Sequence, residues 1–238
     1  MDASEKTLFF VRGIGDRGRF VRDVLERART SLEALGPRAL KISLTEQANP
    51  RFSLVPLRRK NLAMVSVTGS VDPSAVIRVL EGCGDEVFGY RVDESIPLAI
   101  ERTWPLGERS PGVVLLTLLV KHPELDREAF MHEWHGVHTP KALRIHPMWG
   151  YVRNVVRERL TDSTPPFDGV VEEHYRTLAD VMNPVRMFGG PRRFVAGIVE
   201  VMRHVRHFLD LRRTENYLLT EYRVLEAAQD VDEKRATG

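Results

Sequence analysis

Apolar positions recur along this chain with two periods, one near 3.6 and one of 2, and the switches between them mark out the elements. Lys6–Arg12 reads as a short apolar strand. Over Arg17–Leu35 the residues Phe20, Val21, Val24, Leu25, Ala28, Leu32 and Leu35 follow helical spacing, and Gly36-Pro37 stops the helix. Ala39–Glu46 is a strand in which Leu40, Ile42 and Leu44 alternate with polar residues. Asn49–Lys60 is a loop with two prolines and a basic end, and Leu62–Gly69 is a strand. Asp72 caps a helix over Asp72–Leu80 with Pro73 in its first turn. Glu86–Ile100 is extended and broken at Pro97. The order of this half is β-α-β-β-α-β.

Trp104–Gly112, with two prolines and two glycines, is the expected boundary, dividing the chain into 1–108 and 109–238. The second half repeats the order. Val113–Lys121 is a continuous apolar strand, the pattern of burial on both faces. Asp126 caps a helix through the 130s, followed by strands over Trp149–Glu158 and Gly169–Arg176. A short helix over Leu178–Asn183, a longer one over Pro191–Leu211 and a closing strand over Tyr217–Leu225 complete it, and the tail after Glu226 is polar. Two such units predict an α+β protein of two fused ferredoxin-like halves. Packing their open sheet faces together, as an α+β barrel within one chain, leaves room for a cavity between the sheets.

Composition adds limits. Of 238 residues, 42% are hydrophobic and 29% charged, enough for a substantial core, and the net charge of +2 supports neither nucleic acid nor membrane as a partner. The polar start has no secretory pattern, so the expected location is the cytoplasm. The single cysteine, Cys83, leaves no internal disulfide and no cysteine-rich metal site.

The densest candidate chemistry lies in Phe130–Pro140, which holds three of the eight histidines. On an α-helix Phe130, Trp134 and His138 form one stripe, and His132 points roughly 120° away from His138. One ion therefore does not reach all three histidines, and His132-Glu133-Trp134-His135 lacks the four-residue spacing of a zincin, so no metal is expected. His138 is the candidate acid-base, with Phe130 and Trp134 as pocket wall; packing alone is the competing reading. Glu172 and His174 alternate on a strand and share a face, giving a second candidate acid-base pair. Tyr151 and Asn154 point to opposite faces of their strand; both are candidate substrate contacts, with the Asn154 amide favoured to orient a carbonyl or hydroxyl. The arginines between 186 and 213 make a basic segment, either a solvated face or an anion or carrier-protein site. Gly13-Ile14-Gly15-Asp16-Arg17-Gly18 has the letters of a dinucleotide loop, but a β-α-β-β order follows it where a βαβ unit would be needed.

The order of these motifs from about Val113 to Val224 resembles the EthD family of dimeric α+β-barrel proteins. The apolar strand ending at Lys121 is followed by Phe130–Trp134–His138–Thr139–Pro140, Gly150-Tyr151-Val152-Arg153-Asn154, Pro166-Phe167-Asp168-Gly169-Val170-Val171-Glu172, Phe208-Leu209-Asp210 and Glu221. The resemblance implies a ferredoxin-like unit that pairs sheet to sheet, here with the N-terminal half as partner, so that a homodimer would be one of fused pairs. One aromatic-flanked histidine at the presumed cavity and the absence of a cofactor motif lead to the expectation of a cofactor-independent enzyme for proton-transfer chemistry (isomerisation, cyclisation or dehydration) on a small oxygenated cyclic or aromatic substrate. His138 and either Glu172 or His174 would be catalytic. A non-catalytic ligand-binding or assembly protein, and a cofactor-free or haem-dependent oxygenase, remain as alternatives.

Overall fold

The structure, a computed structural model, describes residues 5–50 and 53–226; the polar tail after Glu226 lies outside them. Eight strands alternate with helices: β1 (Lys6–Gly13), β2 (Ala39–Leu44), β3 (Asn61–Thr68), β4 (Glu86–Leu98), β5 (Val113–Leu119), β6 (Met148–Arg159), β7 (Gly169–Tyr175) and β8 (Glu215–Leu225). The helices of the first half are α1 (Arg17–Arg22), α2 (Arg29–Ala34) and α3 (Pro73–Leu80). Those of the second are α4 (Arg127–Met131), α5 (Thr139–Ile145), α6 (Leu178–Met182), α7 (Pro184–Met187) and α8 (Phe194–Phe208).

All strand pairs are antiparallel and close into one barrel in the order β1-β3-β2-β8-β5-β7-β6-β4. The two halves therefore do more than stack through their open faces. Their edge strands hydrogen-bond to each other, β2 with β8 and β4 with β6, which removes every open edge of the ring. β4 runs on through Pro97, where the sequence suggested a break; the disturbance is confined to a register shift against β6 between Ser95 and Leu98.

Each strand has one face inside the ring and one beneath helices. Leu8, Phe10, Met64, Phe88, Leu116 and Leu219 belong to one cluster that fills the barrel interior. Phe9, Val11 and Ile42 point outward and are covered by Phe20, Val24, Leu32 and Val76 of the first half's helices. β5 shows why a strand can be apolar at nearly every position: Val114, Leu116 and Leu118 go in, and Val113, Leu115 and Leu119 go out.

The helix starts follow the expected capping chemistry. Asp72 accepts from the Ser74 amide at 3.0 Å and Asp126 from the Ala129 amide at 2.8 Å. Both long crossover helices contain a π-helical segment, Asp23–Ala28 between α1 and α2 and His132–His138 between α4 and α5. The helix expected over Pro191–Leu211 starts only at Phe194, because Gly189 and Gly190 take φ of +75° and +114° and turn the chain between α7 and α8.

The contact that docks the second half's helices is Trp134 on β7. A Cβ at Gly169 would lie 2.4 Å from the Trp134 ring, which is fully buried. Gly169→Val is therefore expected to cost about 1–3 kcal/mol by overpacking. In a double-mutant cycle measured by denaturant unfolding, Trp134→Phe recovers part of that loss; additive effects would show that the two residues do not share this contact.

Candidate functional site

The sheet wall separates the sequence-derived candidates into two groups. Phe130, Trp134 and Tyr151 lie on the outer, helix-covered side. Phe130 is 5.5 Å from Trp134 and 6.2 Å from Phe208, ring centre to ring centre. His138 is in the same outer layer, stacked at 5.4 Å on His204 and 5.0 Å from Phe208 of α8. Burial, reinforced by the neighbouring His204, pushes the His138 pKa down to about 3, so its ring is neutral at ordinary pH. The expectation that His138 shares a pocket with Asn154 and Glu172 is thus corrected. The physical reason is the pleat: Tyr151 faces the helix layer, and Asn154, an odd number of residues further on, faces the interior.

Asn154, Glu172 and His174 do come together, inside the barrel toward the end where β1 begins. The Asn154 amide donates to Glu172 Oε1 at 3.2 Å. Lys41 donates to Glu172 Oε2 and lies 3.5 Å from Glu221 Oε2. His174 Nε2 is 2.9 Å from Glu221 Oε2, while Ser110 Oγ and Arg223 Nε donate to Glu221 Oε1 at 3.1 and 3.0 Å. Lys6 bridges Glu94 and Glu172. Glu172, His174 and Glu221 are 0%, 4% and 2% exposed.

Three carboxylates here face three cations, Glu94, Glu172 and Glu221 with Lys6, Lys41 and Arg223. Burial alone would raise the Glu172 pKa, but Lys41 and Lys6 outweigh it and hold the carboxylate below its usual range. Glu221 is held well below that range against the same burial penalty, by Lys41, His174 and Arg223. Burial opposes the charge on Lys41, yet Glu172 and Glu221 raise its pKa. The hydrogen-bond inventory nonetheless leaves gaps. His174 Nδ1, Asn154 Oδ1 and Ser43 Oγ are buried without a partner.

This cluster forms part of the wall of an open cavity of about 1430 Å³, to which Lys6, Lys41, Ser66, Glu94, His174 and Arg223 contribute. Below it the interior turns aromatic, with Phe10 stacked on Phe88 at 5.2 Å and Tyr90 closing the far end through a 2.6 Å bond to the Pro165 carbonyl. Ligand atoms of Glu172, His174 and Glu221 lie within 4.8 Å of one another, a set of one imidazole and two carboxylates that suits a divalent cation. Lys41 already supplies positive charge to both carboxylates, so a metal ion would have to open that ion pair.

Lys41, Lys6, Glu221 and Arg223 were missing from the residues read as chemistry. Lys41 sits between Leu40 and Ile42 in an alternating strand, and alternation of that kind reads as a solvated outer face. In the barrel the polar face of β2 turns inward. The available signal was charge within three otherwise apolar strands, at Lys41, Glu172 and Glu221.

Lys41→Met should therefore destabilise the fold by about 3–5 kcal/mol at pH 7 by leaving buried carboxylates uncompensated. The depressed carboxylates contribute stability that is complete above their ordinary value of 4.5 and lost as pH falls. The raised Lys41 contributes stability that is complete below 10.5 and lost as pH rises through its folded value. The variant's deficit is thus largest between about pH 5 and 10 and shrinks in acid; urea unfolding at pH 3.5 and 7 that gave equal deficits would contradict this electrostatic account.

Residues 122–217 match the family described as the EthD domain. That span holds Asn154, Glu172 and His174, but not Lys41 or Glu221. Among solved structures, an anthrone oxidase-like protein covers 95% of this chain and 97% of its own length, with a TM-score of 0.62 and 6% identity. A candidate monooxygenase from Lactobacillus acidophilus covers 93% of this chain and 94% of its own length, with a TM-score of 0.44 and 10% identity. No curated protein matches the chain in sequence. At such identities the structural likeness is one of fold, and the family rests on the sequence match. The sequence likeness of this chain is thus to the EthD domain, over residues 122–217 within its C-terminal half.

Proposed function

We propose that the chain is an enzyme that moves a proton on a small oxygenated, cyclic or aromatic molecule held in the barrel mouth, with His174 as acid-base. The observation that carries this reading is the His174–Glu221 pair: one ring nitrogen is bound to a buried carboxylate, and the other has no protein partner. A carboxylate on one nitrogen fixes the ring's orientation and stabilises the imidazolium formed when the other takes a proton. Lys41 supplies a nearby positive charge for oxygen that becomes negative as a C–H proton leaves, and the unpartnered Asn154 Oδ1 an acceptor for a hydroxyl. The mixed polar and apolar lining suits a ligand with an aromatic body and oxygen substituents.

The halves 1–108 and 109–238 are read as ferredoxin-like units fused in one chain. Their matching strand orders, β4-β1-β3-β2 and β8-β5-β7-β6, support this. Lys6 and Lys41 come from one half, and Glu172, His174 and Glu221 from the other, so one chain assembles one complete mouth.

A second reading, oxidation by molecular oxygen without a bound cofactor, is favoured by the description of the structural neighbour as anthrone oxidase-like. Both readings begin with the same deprotonation. In heavy water without oxygen, a panel of hydroxylated aromatic ketones should exchange carbon-bound hydrogen, and His174→Ala should lose about 10²–10⁴-fold of that rate with its fold intact. His138→Ala should stay within a few-fold of the parent. Full exchange by His174→Ala would overturn the assignment, and oxygen uptake with the same panel decides for the second reading. Binding of a panel member without exchange or uptake would mean a non-catalytic binding protein.

A further inference from the structure

The end of the barrel opposite the mouth carries a second cavity, about 520 Å³ in volume. Its walls are the Gly13–Arg17 turn after β1, the Arg58–Asn61 segment entering β3, and Glu215 and Tyr217 of β8. Five cations line it, Arg12, Arg17, Arg58, Arg59 and Lys60, and Glu215 is the one carboxylate among the described lining residues.

That carboxylate is already engaged. Glu215 accepts from Arg12 at 2.7 Å and from the Tyr217 hydroxyl at 2.7 Å, with Arg58 at 3.8 Å. Arg12 is also bound to Glu86 at 3.1 Å and lies over the Phe88 ring. Arg17 donates to the Asn61 side-chain carbonyl at 3.2 Å. Among the described residues no carboxylate lies within 4.0 Å of Arg17, Arg59 or Lys60. The walls are nonetheless firmly held. Asn61 donates to the Gly15 carbonyl at 3.0 Å, and Asp85 accepts from the Ile14 amide at 2.7 Å. A Cβ at Gly15 would meet nothing within 4 Å, so a ligand can approach the backbone there. The helix start beside the turn is not the anchor, because the Asp16 carboxylate already occupies it through the Arg19 amide at 2.7 Å.

Concentrated positive charge on braced walls is a preorganised anion site. A phosphate monoester carries about −1.5 to −2 at pH 7, less than the three charges of Arg17, Arg59 and Lys60 that no carboxylate of the described residues pairs, so these cations suit two such groups. Arginine forks and a lysine also match phosphate oxygens in geometry. We propose that this cavity binds a small molecule carrying two phosphate groups, through Arg17, Arg58, Arg59 and Lys60. The glycine turn singled out in the sequence thus contributes open backbone beside the phosphates and no dinucleotide fold.

The test is calorimetric titration of the whole chain with inorganic pyrophosphate at low salt. Saturable binding is expected, weakened at least tenfold by the exposed double variant Arg59→Glu/Lys60→Glu, whose fold is checked by circular dichroism. Arg78→Glu, a charge reversal on α3, should leave it unchanged. No saturable binding, or equal binding by the double variant, overturns the proposal, as does an equal loss in Arg78→Glu, which would indicate only net charge. Orthophosphate binding as tightly as pyrophosphate overturns the two-phosphate assignment, and a single-stranded oligonucleotide binding more tightly than either overturns the small-molecule one.

Discussion

Closure of eight antiparallel strands into one ring governs the rest of this molecule. Joining β2 to β8 and β4 to β6 satisfies the backbone groups that two separate four-stranded sheets would leave at their edges. It also turns one side of every strand toward the opposite wall, while much of the other side meets helices. A ring of eight strands is about wide enough for side chains to fill. Whatever the inward positions carry must therefore pack or neutralise inside a narrow lumen. Aromatic and aliphatic residues do the first along the middle of the lumen; Lys6, Lys41 and Arg223 with Glu94, Glu172 and Glu221 do the second at the mouth.

The polar end gains its chemical character from that confinement. Brought into low dielectric, Lys41, Glu172 and Glu221 hold one another ionised, and the cost of each is offset only while its partners remain. Within such a network a histidine tied to a carboxylate by one nitrogen is oriented and electrostatically supported, which are the requirements for moving a proton. The outer layer has a different task. Phe130, Trp134, Tyr151 and Phe208 form the packing that seats the helices on the sheet, and His138 is part of that layer, dry and neutral. The stripe that looked most like a catalytic face is thus the one that holds the second half's helices to the barrel.

Much of this was legible along the chain because it depends on neighbours in sequence. Helix caps at Asp72 and Asp126, the strand order, the double-sided burial of β5 and the shared face of Glu172 and His174 follow from spacings of one to four residues. The opposed directions of Tyr151 and Asn154 follow from the same period of 2. The π-helical segments over Asp23–Ala28 and His132–His138 were not legible in this way.

By itself the sequence determined which residues share a face, where the helices capped by Asp72 and Asp126 start, and that residues 122–217 carry the EthD pattern. It did not determine which face is the interior. In an alternating strand such as β2, apolar and polar sides are equally regular, and the usual assignment sends Lys41 to solvent. Only closure of the ring reverses it, placing Leu40 and Ile42 under helices and Lys41 against Glu172 and Glu221 from the other half. The reason is that inside and outside are properties of the assembled surface: a period of 2 specifies opposition between two faces, and only the tertiary pairing of strands distant in sequence gives each face its surroundings.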